Sequence, residues 1–132
     1  HMSYSRLGAK VGTVPKACKI DPHTVEWMAK NNLVANRTIN YALQAYERAV
    51  QTDKIKPTWR TQNGSRAMRW GHDKLKPVAA RIRRDLLEYL VLNDMNVNGT
   101  INEALELLQT DVTAYEMQHC KPAPWLAQLK KK

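Results

Sequence analysis

The side chains of this 132-residue chain that could do chemistry are mostly basic. Lys and Arg number 21 against 12 Asp and Glu, a formal net charge of +9, and a surplus of that size favours anionic partners. Its distribution says more than its total. Residues 1–84 hold 17 Lys/Arg against 5 acids, residues 85–120 hold 7 acids and no Lys or Arg, and four lysines follow from Lys121 onward. A polyanion would therefore meet the first two thirds of the chain. The acidic stretch would be a solvated face, or would meet a protein partner or another copy's basic patch.

Patterns for catalysis or metal binding do not occur. His23, His72 and His119 form no His-x-x-x-His, and Cys18 and Cys120 form no Cys-x-x-Cys, so neither supplies the ligand spacing of a zinc site. There is no Gly-rich phosphate loop and no nucleophile motif. The expectation is a non-enzyme with no cofactor and no metal. Two isolated cysteines fit thiols in a reducing cytosol better than a disulfide framework. No run approaches the roughly 18 apolar residues of a membrane span, and His1-Met2 reads as an expression scar. A cytoplasmic protein is expected.

The chain repeats itself. A shift of 62 residues aligns Pro15–Tyr46 with Pro77–Leu108 without a gap, and eleven of the 32 pairs are identical. The densest match is Asn-x-Thr-Ile-Asn-x-Ala-Leu, at 36–43 and again at 98–105. Two unrelated amphipathic helices would share apolar positions, not the Asn-x-Thr and the trailing Asn. The repeat divides the chain into a first unit (3–50), a basic Trp-containing connector (51–75), a second unit (76–117) and a basic tail (118–132), docked or frayed.

Each unit has the same grammar. Asp21-Pro22 is a helix start, with Asp as N-cap and Pro at the first helical position, and Asn31-Asn32 is a stop. A second helix is expected near Asn36, capped by that side chain, with Ile39, Ala42, Leu43, Tyr46 and Val50 as its apolar stripe. In the second unit Leu86, Leu87, Leu90 and Val91 fall in the first helix. Asn98-Gly99 is expected to break the chain, and Thr100 with Glu103 to form a capping box. Ile101, Ala104, Leu105, Leu108 and Val112 then carry the stripe, out to Met117 at most. The segments Pro15–Ile20 and Pro77–Ile82 alternate enough to be strands, although Pro77–Arg81 also suits a first helical turn.

A short strand, a helix, a tight turn and a longer helix starting at a small polar cap resemble the ribbon-helix-helix family of DNA-binding proteins. The likeness covers about half the chain, in two blocks, with first helices about a turn shorter than is usual there. It implies a mainly α fold: a tandem ribbon-helix-helix pseudo-dimer, with two short strands forming one ribbon over a helical core. The alternative is an all-α helical bundle. A single unit of this kind leaves its strand edge open and cannot bury its helix stripes. Two linked copies would solve that within one chain, because the linker gives the second copy an effective concentration on the order of millimolar.

The candidate binding residues follow from that arrangement. If Ile20 and Ile82 point into the core, Cys18 and Ala80 lie inside, and Lys19 and Arg81 face out with Ala17 and Ala79. A ribbon can read base edges in the major groove, so Lys19 and Arg81 come first, with Lys16 as an alternative if the register slips by one. Helix starts bind phosphate, which adds Asn36, Arg37 and Thr38, and the likeness implies that this helix start clamps the DNA backbone. Lys54, Lys56, Arg60, Arg66 and Arg69 interleave with Trp59 and Trp70 in the connector, suiting phosphate contact and stacking. Arg81, Arg83 and Arg84 continue the basic run. The leading expectation is a sequence-specific double-stranded DNA-binding protein: a repressor, or an accessory factor of a plasmid or phage, able to self-associate on DNA. A helical adaptor or RNA-binding module, or an antitoxin-like regulator, is the alternative.

Overall fold

In the computed structural model, which describes residues 12–58 and 74–132, the chain runs β1 (Thr13–Ile20), α1 (Pro22–Lys30), α2 (Ala35–Gln51), β2 (Lys76–Arg83), α3 (Arg84–Leu92) and α4 (Val97–His119), and ends in a 3-10 helix over Pro124–Leu129. Among the described residues the fold is mainly helical with one small antiparallel sheet of two strands. Strand, short helix and long helix thus occur twice, in step with the sequence repeat.

The strand register carries the same symmetry. Ala17 pairs with Ala79, Pro15 with Arg81 and Lys19 with Pro77. Ala17 and Ala79 are also repeat equivalents, as are Pro15 with Pro77 and Lys19 with Arg81. A pseudo-twofold axis therefore passes through the Ala17–Ala79 pair. The long helices α2 and α4 pack on each other, and each also packs across the axis: α2 on β2, and α4 on β1. The two units interlock rather than sit side by side.

The core explains why so many repeat positions are identical. Ile20, Ile82, Ile39 and Ile101 are each 0% exposed, and Thr38, Thr100, Ala42, Ala104, Leu43 and Leu105 are buried beside them. Each buried Ile contributes roughly 1.5–3 kcal/mol, and positions around the axis share one environment, so they keep one residue type. In the short helices the buried pairs are Thr24 with Met28 and Leu86 with Leu90, each four residues apart on one face. Ala29 and Asn32 lie off that face and are exposed. On α4 the buried stripe stops at Val112, leaving Met117 exposed.

Both short helices stop as the residue types dictate. Asp21 accepts from the His23 backbone N–H at 2.9 Å and Pro22 opens α1. Asn32 and Asp94 end the two helices in the left-handed region, φ 57° in both, which Asn and Asp tolerate better than other side chains. The first long helix starts where expected but with another cap, and the second starts earlier than expected. α2 begins at Ala35, with Val34 at its N-cap and no side-chain cap bond; α4 begins at Val97, capped by Asn96, whose side chain accepts from Gly99 N–H at 2.8 Å. Asn98-Gly99 therefore lies inside α4 instead of breaking the chain. The Thr100–Glu103 capping box does not form: Thr100 is fully buried, and Glu103 accepts from the Tyr46 and Thr58 hydroxyls, both at 3.1 Å.

The C-terminal segment is docked. Ala123, Leu126 and Leu129 are buried, and Trp125 packs edge-on to Tyr115 with centroids 5.1 Å apart. Leu33 forms an antiparallel bridge with Lys130, Val34 N–H donates to Leu129 O at 2.8 Å, and Lys131 N–H donates to Asn32 O at 2.9 Å. The tail thus seals the α1–α2 turn of the first unit. Cys18 is buried and Cys120 exposed, and both are free thiols. No helix among the described residues is long and apolar enough to cross a membrane.

Candidate nucleic-acid interface

The pleat sorts each strand into two faces. Cys18, Ile20, Ala80 and Ile82 turn toward the helices and are buried, while Pro15, Ala17, Lys19, Pro77, Ala79 and Arg81 are exposed on the other side. Lys19 and Arg81 therefore stand outward at equivalent places, separated by the two small alanines on the axis. Among the described residues the side-chain face opposite the helices is exposed, and at a strand spacing of about 4.8 Å a two-stranded ribbon is narrower than a major groove about 12 Å wide.

The outer edges of the ribbon are closed by an asparagine pair from each long helix. Asn40 Oδ1 accepts from Arg83 N–H at 2.9 Å, and its Nδ2 donates to Arg81 O at 3.0 Å; Asn36 Oδ1 accepts from Arg81 N–H at 2.8 Å. Across the axis, Asn102 Oδ1 accepts from Asp21 N–H at 2.8 Å, and its Nδ2 donates to Lys19 O at 2.8 Å, while Asn98 Oδ1 accepts from Lys19 N–H at 3.3 Å. Each Asn-x-x-x-Asn thus pairs one strand edge as a neighbouring strand would. The N–H groups of Lys19 and Arg81 point outward to these amides, so the equivalent direction at Pro15 and Pro77 carries no donor at all. Edge prolines and side-chain pairing both make an edge a poor template for another strand.

These clamps reassign Asn36. Its side chain holds β2 rather than capping a helix. Thr38 is fully buried and donates to Val34 O at 2.8 Å, so its hydroxyl faces the protein and not a phosphate. Arg83 is also committed: it sits at the N-cap of α3, its Nε and Nη2 bind both Asp85 oxygens at 3.0 and 2.6 Å, and Nη1 donates to Gln44 Oε1 at 3.1 Å. Arg83 holds the strand-to-helix corner. Lys16 lies on the helix-side face, half-buried opposite Ala80, not among the outward residues. Arg37 is exposed at the start of α2 and donates through Nη1 to Lys130 O at 3.2 Å, which brings the lysines of the tail to that helix start. Arg60, Arg66 and Arg69, with Trp59 and Trp70, lie outside the described residues.

Sequence reasoning missed three residues that shape this face. Thr13 accepts from Arg81 Nε through Oγ1 at 2.9 Å and from Arg81 Nη2 through its carbonyl at 3.3 Å; nothing in the sequence marks a Thr before the repeat begins. Asn40 and Asn102 carried a signal, since two identical polar residues next to a buried apolar stripe need partners. Burial pushes the Cys18 thiol above its ordinary range, with Lys16 opposing, so the thiol beneath the ribbon stays protonated and unreactive. Comparison with protein-family models, with curated proteins and with solved structures finds no match.

Proposed function

We propose that this chain binds double-stranded DNA as a tandem ribbon-helix-helix protein, a repressor or a plasmid or phage accessory factor, with the two-stranded ribbon lying in the major groove. The observation that carries this reading is the outward ribbon face. Lys19 and Arg81 project from it at pseudo-symmetric positions, with only Pro and Ala between them. The two cations can donate to guanine or phosphate, and the alanines let the ribbon backbone approach the base edges closely. The basic balance of residues 1–84 supplies the sequence-independent attraction. Arg37 and the adjoining tail lysines offer backbone phosphate contacts at the start of α2.

The test is a titration of the full chain with duplex DNA, single-stranded DNA and RNA, each at 50 and 200 mM salt. Duplex should bind most tightly. With about six phosphate contacts, affinity should fall roughly a thousandfold between the two salt concentrations. Equal weak binding to all three nucleic acids would remove the ribbon reading and leave only a charged surface. A preference for RNA would favour the RNA-binding alternative.

A further inference from the structure

Resting on the reading just given, we propose that the two halves of the target site are read unequally, with a guanine fixed in the half under Arg81 and a looser requirement under Lys19. The two copies have diverged at two positions that meet on the same face. Arg81 corresponds to Lys19, and Thr13 corresponds to Leu75.

On the Arg81 side, Thr13 occupies one edge of the guanidinium, taking Nε at 2.9 Å and Nη2 at 3.3 Å. That leaves Nη1, and the fork it forms with Nη2, without a hydrogen bond among the described residues. It is the fork that pairs with guanine O6 and N7, and an arginine already held in place loses less rotamer freedom when it does so. On the Lys19 side no equivalent contact occurs among the described residues. Lys19 makes no side-chain hydrogen bond or ion pair among the described residues, and Leu75 has no side-chain acceptor to offer. A flexible ammonium donates as a point charge and discriminates less between bases and phosphates.

The register also sets the spacing. Lys19 lies four residues along β1 from Pro15, the partner of Arg81, which is about 14 Å at the rise of an extended strand. At about 3.4 Å per base pair, the two contacts are roughly four base pairs apart, on either side of a centre that faces Ala17 and Ala79.

Selection of tight binders from randomised duplexes, using the full chain, tests this directly. The expected outcome is a site with a strongly required guanine in one half and a weaker preference in the other. In binding assays on that site, Arg81→Lys should reduce discrimination against a substituted guanine about tenfold, and Thr13→Ala about threefold to tenfold. Both variants should keep the melting temperature of the wild type. The paired change Lys19→Arg with Leu75→Thr should create a guanine requirement in the second half. Duplex binding with both halves equally specified, or unchanged discrimination in Arg81→Lys and Thr13→Ala, would overturn this inference and leave the DNA-binding reading standing. Absence of any duplex preference would overturn both.

Discussion

Replacing Asn102 with Ala should destabilise the protein more than any other single change at the ribbon edge. Its side chain is 2% exposed. It accepts from Asp21 N–H and donates to Lys19 O, both at 2.8 Å, and donates to Asn98 O at 2.9 Å. Truncation leaves an acceptor of β1, Lys19 O, and the donor just past its end, Asp21 N–H, without these partners. Each such group costs about 1–3 kcal/mol when buried, and water reaching the β1 edge offsets part of that. A loss of about 2–4 kcal/mol follows, which lowers the melting temperature by on the order of 10 °C for a chain of this size. Asn40→Ala removes the matching clamp from β2, but Asn40 is only half-buried, so its loss should be about half as large. Thermal and urea unfolding followed by circular dichroism gives both numbers. Should Asn102→Ala melt within 2 °C of the wild type, or above Asn40→Ala, the clamps do not hold the ribbon as argued.

Removing residues 122–132 exposes the surface covered by Leu126 and Leu129, at roughly 1.5–3 kcal/mol for each buried side chain, and urea unfolding should show a loss of about 3–6 kcal/mol as an upper bound; an unchanged midpoint would mean the tail contributes nothing. Arg83→Ala should cost about 1 kcal/mol, because the Arg83–Asp85 pair is only partly shielded, with side chains 16% and 31% exposed, and equilibrium unfolding reads this directly. Burial and the neighbouring Glu103 carboxylate, which accepts its hydroxyl, push Tyr46 well above the ordinary tyrosine range. The folded Tyr46 stays protonated where the unfolded one ionises, so its contribution is constant below about pH 10 and is lost as pH rises past it. Base-induced unfolding monitored by tyrosinate absorbance should show this, and Tyr46→Phe should shift the midpoint.

The parts of the fold legible in the sequence are those the repeat wrote twice. Ile20 and Ile82, identical and each two residues from an equivalent small residue, fixed the strand parity, and the outward placement of Lys19 and Arg81 followed. Asn31-Asn32 marked a helix stop because asparagine accepts a positive φ. The caps of the long helices differ from the sequence reading for a local reason: Asn before Thr-Ile has the chemistry of an N-cap, and only the opposite copy's strand reveals that Asn36 and Asn98 are needed elsewhere. The same limit hid Thr13 beneath Arg81, the ion pair that takes Arg83 out of the candidate face, and the tail that seals Leu33. Each depends on which copy's strand lies beside which copy's helix, and that relation is tertiary. Thr38 was misplaced through its neighbours, since Thr at a helix start serves as a cap or as core according to which way the turn faces.

On the proposed reading, the exposed face of the ribbon is the surface that touches DNA. The most direct measurement is the duplex affinity of a Lys19→Ala, Arg81→Ala double variant, taken beside its melting curve. Both residues are exposed, and the Arg81–Thr13 hydrogen bonds lie at the surface, so the melting temperature should stay within about 2 °C of the wild type. Loss of two direct contacts should weaken duplex binding at least about a hundredfold. A double variant that stays folded and binds duplex as tightly as the wild type would contradict the account.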